Sequence, residues 1–137
     1  MRLFLLPILT LVVQLWAVDL QAKSGRDIPG YVEVIHSAML KGSSKELSKY
    51  FQQDLHLKMG GLSGEFPKTQ AEYLLGEFFS RYPPKGFEVI HNGETSDKIR
   101  FIMGYFRTEE KTFSILVKAK RDELGIMKIC ELELIAP

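Results

Sequence analysis

Three strand-like segments in the C-terminal third constrain the fold of this chain more than any other feature. Only short polar connections separate these apolar-rich runs, which cover residues 99–107, 112–120 and 126–135. The middle run alternates, and its apolar side carries Phe113, Ile115, Val117 and Ala119, the pattern of a strand with one buried face. Consecutive strands joined by short turns pair antiparallel. We therefore predict a strongly curved antiparallel sheet, with the helices encoded earlier in the chain folded into its hollow.

The first of these runs is apolar on both of its faces. This composition is typical of a central strand, or of a strand that meets a partner on one side. It favours a homodimer formed through the outer face of the sheet, and Phe106→Glu is expected to push such a dimer towards monomer. In the last run we expect Cys130 to share a face with Leu132 and Leu134, opposite the glutamates between them.

Two helices are predicted at the start of the domain. Apolar residues recur at helical spacing from Ile28 to Leu40, and Gly42 follows in the position that ends many helices. Ser43 and Glu46 have the spacing of a capping box, in which each side chain satisfies a free backbone donor. We predict a second, short helix after this box.

The clearest amphipathic helix follows a second capping box, formed by Thr69 and Glu72. Its apolar face carries Ala71, Leu74, Leu75, Phe78, Phe79 and Tyr82. The helix is expected to end at Pro83 and Pro84, because proline cannot continue a helix.

Shorter strands are predicted on either side of this helix. Residues 54–59 alternate with a period of two, and the glycines at 60, 61 and 64 indicate a loop after them. Residues 87–91 form the second strand, which we expect to end at the turn dipeptide Asn92-Gly93. Helices segregated from an antiparallel sheet define the α+β class.

The N-terminus has the pattern of a secretory signal peptide. Arg2 precedes an almost wholly apolar stretch, and Ala22 is a small residue at the expected cleavage position. We therefore interpret residues 1–22 as a signal peptide and residues 23–137 as a single domain without a transmembrane anchor. The expected location is the periplasm, the cell envelope or the extracellular space.

Charge, cysteine content and histidine spacing exclude several functional classes. A formal net charge of +1 gives no bulk electrostatic case for binding nucleic acid. The single cysteine, Cys130, excludes a disulfide-stapled scaffold. The three histidines have no metal-binding spacing, so no metal site is expected, and no cofactor motif is found.

The order of these elements resembles the NTF2-like superfamily, and more closely a DUF4783-type family of small exported Bacteroidetes proteins of unknown function. The similarity is carried by residues 39–42, 46–51, 68–71, Phe78 and Phe79, Pro83 and Pro84, and residues 87–93. The resemblance implies an NTF2-like cone, a curved antiparallel sheet with three helices on its concave side. It implies export, but it carries no activity.

A cone closed at its narrow end leaves a cavity at the wide end, the usual place for a small ligand. Counted by twos, His91 shares a face with Phe87 and Val89, so it is expected to point inward at the cone mouth. There it would act as acid, base or ligand-orienting donor, or else as a structural histidine bonded to the following turn. The candidate pocket residues are His91, Tyr105, Phe79, Met103, His36 and Cys130.

Two functions that use a cavity or an exposed face are compatible with this pattern, and a third interpretation, a packed cone without a cavity that is a structural part of an envelope assembly, stays open. The favoured one is a non-catalytic exported module that binds a small apolar or amphipathic ligand, or a protein partner such as a second copy. The alternative is a small isomerase or hydro-lyase with His91 as base and Tyr105 as donor. An ionisable side chain reaching the cavity would distinguish the two.

Overall fold

The computed structural model describes residues 29–137, which form three helices and one six-stranded sheet. The helices are α1 (Pro29–Lys41), α2 (Ser44–Ser48) and α3 (Lys68–Arg81). The strands are β1 (Phe51–Met59), β2 (Leu62–Pro67), β3 (Pro84–Glu94), β4 (Arg100–Thr108), β5 (Thr112–Arg121) and β6 (Met127–Ile135). The predicted α+β class is confirmed.

The predicted signal peptide lies outside the described residues. Within residues 29–137, no helix has both the length and the apolar character needed to cross a bilayer.

The strands follow the order β2-β1-β6-β5-β4-β3 in one curved, open sheet. Neighbours pair antiparallel except for β1 and β6, the second and third strands in this order, which run parallel. The last strand, β6, therefore lies between β5, which directly precedes it in the chain, and β1, which is far from it in sequence. Three consecutive C-terminal strands, predicted from their spacing, form β4, β5 and β6.

One face of the sheet, here called the inner face, packs against the helices. Its side chains include Ile102, Phe106, Phe113, Ile115, Val117, Leu132 and Leu134, all buried. From α3, the ring centroid of Phe78 lies 5.0 Å from that of Phe113, and the centroid of Phe79 lies 5.7 Å from that of Phe106. Each fully buried aromatic or branched side chain contributes about 1.5–3 kcal/mol. The predicted apolar face of α3 is therefore confirmed as core.

The two predicted helix caps have different outcomes. The Ser43 hydroxyl accepts a hydrogen bond from the Glu46 amide at 3.1 Å, as predicted, and caps α2. The prediction that Thr69 caps α3 is wrong. That helix already begins at Lys68, its N-cap residue is Pro67, and no side chain bonds to its first turn. Thr69 lies inside the helix, two residues past the N-cap position from which a side chain reaches the free amides of the first turn.

The predicted glycine-rich loop after β1 is in fact a tight turn followed by a strand. Gly60, with φ of 59°, makes the turn, and β2 starts at Leu62. Gly64 lies within β2 opposite Leu57, and the Phe66 ring approaches to 3.7 Å of where a Gly64 Cβ would stand. Glycine usually weakens the interior of a strand, so the sequence favoured a loop here. The Phe66 ring occupies the space beside Gly64 and accounts for a glycine within this strand.

The predicted turn at Asn92-Gly93 is also displaced. β3 continues through both residues to Glu94, and the chain reverses at residues 95–98, where Lys98 has φ of 63°. Gly93 pairs with Phe101, whose ring lies 3.3 Å from the position of a Gly93 Cβ. Strand pairing and this ring contact override the local turn preference.

Two β-bulges overturn the predicted faces of His91 and Cys130. In β3 the register shifts between Val89 and His91, so Ile90 is the extra residue and His91 pairs with Met103 on the exposed face. In β6, Lys118 of β5 pairs with Glu131 and the next residue, Ala119, pairs with Ile129, so Cys130 is the extra residue. Counting by twos fails at both positions, because a bulge adds one residue to one strand only.

Candidate functional site

The six residues predicted to line one pocket do not meet in one place. Phe79 is buried in the core, and His36 on α1 has its ring centroid 5.5 Å from that of Phe87. Cys130 is half-buried at the β6 bulge, and its thiol donates to the Lys118 carbonyl oxygen at 3.4 Å. His91, Met103 and Tyr105 lie together on the exposed outer face of the sheet. The interior position predicted for His91 and Tyr105 is therefore wrong.

The outer face carries an exposed apolar patch, formed by Ile90, Met103, Tyr105, Leu116 and Ile135. Ile90 is 55% exposed, Met103 47%, and Tyr105 and Ile135 40% each. Strand register brings them together: Met103 lies between His91 and Leu116, and Ser114 lies between Tyr105 and Ile135. Contiguous exposed apolar surface of this kind marks interaction sites.

The alternation along β4 explains why this patch exists. Ile102, Gly104 and Phe106 face inward and are buried, while Met103 and Tyr105 between them face outward. A strand that is apolar on both faces thus supplies the core with one face and the surface with the other. Phe106 is 0% exposed, so it contributes nothing to the outer face, and the predicted effect of Phe106→Glu on a dimer is wrong. That substitution would bury a charge.

A shallow depression lies within the patch, above Gly104. Its volume is about 150 Å³, and its rim includes Ile90, His91, Met103 and Tyr105. The His91 ring centroid lies 5.3 Å from that of Phe101, and across residues 29–137 no carboxylate forms an ion pair with His91. His91 thus lies at the rim of a shallow depression, whereas the predicted isomerase or hydro-lyase required it inside a cavity.

A second depression runs between α1 and β3. It encloses about 620 Å³, is open to solvent, and is lined by Val32, Glu33, His36, Phe87, Glu88, Val89 and Arg107. The Arg107 guanidinium donates to the Glu88 carboxylate on its rim. We call this depression the α1–β3 groove. It combines an apolar floor with a histidine and one paired cation, a lining suited to an amphipathic molecule.

A third depression, of about 750 Å³, follows the exposed side of α3. It is lined by Ser44, Thr69, Glu72, Tyr73, Gly76, Glu77, Ser80 and Arg81. Its polar groups are already partnered: the Tyr73 hydroxyl donates to Glu77 at 2.7 Å, and Arg81 donates to Glu110 at 2.8 Å. The hydrogen bond to Glu77 raises the pKa of Tyr73. These contacts are those of a solvated helix flank.

The buried ionisable groups are held neutral rather than activated. Burial raises the pKa of the Tyr31 phenol well above its ordinary value, with a smaller contribution from Cys130. Burial likewise raises the pKa of the Cys130 thiol. A nucleophile or general base needs the opposite shift to work near neutral pH.

Two features of this surface have no local signal in the sequence. Ile90 joins the patch only because the β3 bulge displaces it, and Ile135 joins it only because β6 pairs with β5 in this register. The apolar character of both faces of β4 did indicate an apolar outer face, but the residues were assigned the wrong way round: Met103 and Tyr105 are exposed, and Phe106 is buried.

Solved structures share this architecture. A DUF4783 family protein from Bacteroides ovatus is 28% identical, with a TM-score of 0.71 over 76% of this chain and 93% of that one. A DUF4783 family protein from Bacteroides fragilis is 27% identical, with a TM-score of 0.69 over 76% and 96%. An NTF-2 like protein of unknown function from Silicibacter pomeroyi is 12% identical, with a TM-score of 0.60 over 85% and 98%, and is similar in fold alone.

The sequence comparison agrees with the structural one. No curated protein matches the chain. Residues 32–134 match the family profile described as a domain of unknown function, DUF4783, and this range includes every strand and nearly all of the three helices. The chain therefore belongs to the DUF4783 family and has an NTF2-like fold.

Proposed function

We propose that this protein is a non-catalytic interaction module that binds a second copy of itself through the apolar patch on the outer face. The observation that carries the proposal is the exposure of Ile90, Met103 and Tyr105 on a sheet whose other face packs against the helices. Burying such side chains is worth about 25 cal/mol for each Å² removed from water. A partner that covers the patch gains this energy.

The charges around the patch favour a second copy as the partner. On the side of β3 the charged neighbours of the patch, Glu88 and Arg107, form an ion pair with each other, so this margin carries no net charge, whereas Glu133 lies opposite Leu116 on the side of β6. Two copies related by a two-fold axis present the same surface to each other, and the neutral β3 margin avoids like-charge repulsion where the two copies meet along it.

The size of the face sets the expected strength of the dimer. Four strands about 4.8 Å apart, over about eight residues each, cover roughly 500 Å² of flat area. Stable interfaces bury about 800 Å² per partner. We therefore expect a dimer in equilibrium with monomer, which becomes populated as the protein concentration rises.

The test is the solution mass of two matched variants. Met103→Glu places a charge at the centre of the patch, whereas Leu124→Glu places the same charge at an 83% exposed apolar residue in the turn between β5 and β6. Light scattering over a concentration series should give a dimer for the wild type and Leu124→Glu, and a monomer for Met103→Glu. A wild type that remains monomeric at millimolar concentration would refute the proposal.

A small amphipathic ligand in the α1–β3 groove is the second candidate function. The apolar floor at Phe87 and Val89 beside the Arg107–Glu88 pair supports it. Native mass spectrometry of protein purified from its own host would reveal a retained molecule by its added mass. Loss of that added mass in Val89→Arg, with the dimer unchanged, would assign the molecule to this groove.

We also propose that the protein acts after export, in the periplasm, the cell envelope or the extracellular space. The support is the N-terminal pattern of Arg2, a long apolar stretch and Ala22. N-terminal sequencing of the protein recovered from fractionated host cells tests this directly. A mature chain that begins at Lys23 supports export, and a cytoplasmic protein that retains residues 1–22 would overturn it.

A further inference from the structure

A histidine and two glutamates meet on the outer face at the centre of the sheet. His56 lies on β1, while Glu131 and Glu133 lie on the neighbouring strand β6. One ligand atom from each residue, an imidazole nitrogen or a carboxylate oxygen, lies within 4.8 Å of the other two. All three side chains are half-buried. This cluster is separate from the α1–β3 groove and borders the apolar patch, because Glu133 lies opposite Leu116 across β6 and β5.

The parallel pairing of β1 and β6 creates the cluster. His56 is directly opposite Glu131, and Glu133 follows two residues later on the same side of β6. Both strands are flanked, β1 by β2 and β6 by β5, so the backbone that carries the three side chains is hydrogen-bonded on each side. Sites built on paired strands hold their ligands more precisely than sites built on loops.

The surroundings of the cluster include one more donor and two competing cations. Glu65 on β2 lies opposite His56, with its carboxylate oxygen 3.9 Å from the imidazole Nδ1. The Lys118 ammonium lies 3.1 Å from Glu131, and Lys58 pairs with Glu133 across the strands. A cation bound here would have to displace the Lys118 contact. Glu65, Glu131 and Glu133 carry three negative charges, and Lys58 and Lys118 carry two positive charges. The site therefore retains a net attraction for a cation.

We propose that His56, Glu131 and Glu133 bind a divalent transition-metal ion of the zinc type. One imidazole nitrogen with two carboxylate oxygens is a donor set that suits zinc, whereas calcium and magnesium take oxygen ligands only. In tetrahedral geometry, two ligand atoms bound to one zinc ion at about 2.1 Å lie about 3.4 Å apart. The ligand atoms of the three side chains therefore have to approach one another by less than about 1.5 Å, a movement that rotamer changes can supply. Glu65 is within reach as a fourth ligand.

Sequence spacing could not reveal this site. His56 lies 75 residues before Glu131 along the chain, and no local motif joins it to the two glutamates. They come together only because the last strand inserts beside the first. The expectation that the chain lacks a metal site rested on histidine spacing alone.

The test uses zinc calorimetry and cobalt absorption on the mature chain. The wild type should bind one zinc ion per chain, and cobalt should give visible absorption bands that zinc abolishes. His56→Gln and Glu131→Gln should each weaken zinc binding by about tenfold or more, while Glu123→Gln, in the exposed turn between β5 and β6, should bind as the wild type does. Lys118→Met, which removes the competing ammonium, should bind zinc more tightly.

The alternative is a cross-strand network of ion pairs that holds no metal. In that case the wild type would show no saturable zinc binding, or His56→Gln and Glu131→Gln would bind zinc as tightly as the wild type. Either result would overturn the proposal. Thermal unfolding of each variant without metal shows whether it is folded, and the two ligand variants are independent, so one unfolded variant leaves the other to decide.

Discussion

Gly104 on β4 lies so close to Glu88 on β3 that a Cβ added to the glycine would stand 2.0 Å from the Glu88 carbonyl oxygen. The backbone of β3 thus passes over the position where a side chain of residue 104 would lie. This contact is next to the bulge at Ile90, where the register of β3 against β4 shifts. The glycine allows the close approach, and the bulge turns Ile90 and His91 to the outer face.

Gly104→Ala should therefore destabilise the protein by about 3 kcal/mol or more, because a rigid backbone atom has to move. Denaturant unfolding measures the change. Gly61→Ala is the matched control, since nothing lies within 4 Å of its added Cβ and its φ is not positive. We expect a change of less than about 1 kcal/mol there. Equal effects at both positions would show that β3 does not approach β4 as described.

Loss of the hydroxyl should change the free energy of unfolding at Ser43 but not at Thr69. Ser43→Ala should cost about 1 kcal/mol, because it removes the acceptor for the Glu46 amide. Thr69→Ala should leave the free energy of unfolding unchanged to within about 0.5 kcal/mol, because Thr69 makes no cap contact. Thermal or urea unfolding distinguishes them, and a larger loss at Thr69 would place the start of α3 two residues later.

Truncation of two neighbouring aromatic residues on β4 should lower the free energy of unfolding by very different amounts. Phe106→Ala should cost about 3–5 kcal/mol, because its ring is fully buried among Phe78, Phe79 and Phe113. Tyr105→Ala, on the outer face, should cost less than about 1 kcal/mol in the monomer. Urea unfolding at low protein concentration makes the comparison. A reversed order would mean that the faces of β4 are assigned the wrong way round.

Tyr31→Phe should not destabilise the protein, although Tyr31 is buried. Across residues 29–137, its hydroxyl is the one buried side-chain polar atom without a hydrogen-bond partner. An unpartnered buried hydroxyl costs about 1–3 kcal/mol, so its removal should be neutral or stabilising at pH 7. A loss of more than about 1 kcal/mol would show that the hydroxyl has a partner after all.

The same variant has a predicted pH dependence. Burial raises the folded-state pKa of Tyr31 above the unfolded value of about 10. The folded chain therefore holds a proton that the unfolded chain releases, and the wild type loses stability as the pH rises above about 10. Tyr31→Phe lacks this loss, so its advantage over the wild type should be larger at pH 11 than at pH 7. An unchanged difference would indicate an ordinary pKa.

The elements with strong periodicity were predictable from the sequence. The apolar face of α3, from Ala71 to Phe79, and the alternation of β5, from Phe113 to Ala119, reappear as buried residues. Both patterns arise within one element, where the period of the backbone decides which side chains share a face. The hydroxyl cap at Ser43 was found for the same reason, because its partner lies only three residues away.

The features that depend on pairing between distant strands were not predictable. The bulges at Ile90 and Cys130 arise from how two strands align, and each reverses the count by twos. The parallel contact between β1 and β6 brings His56 to Glu131 without any local signal. Much of the candidate interaction surface, and all of the proposed metal site, depend on such pairings.

The most direct test of the proposed self-association is methionine methyl NMR as the protein is diluted. Met103 lies in the patch and is exposed, while Met39 and Met59 are buried in the core and serve as internal references. If two copies meet through the patch, the Met103 resonance should shift steadily from millimolar to micromolar protein while the Met39 and Met59 resonances stay in place. A Met103 resonance that does not move over this range would contradict the account.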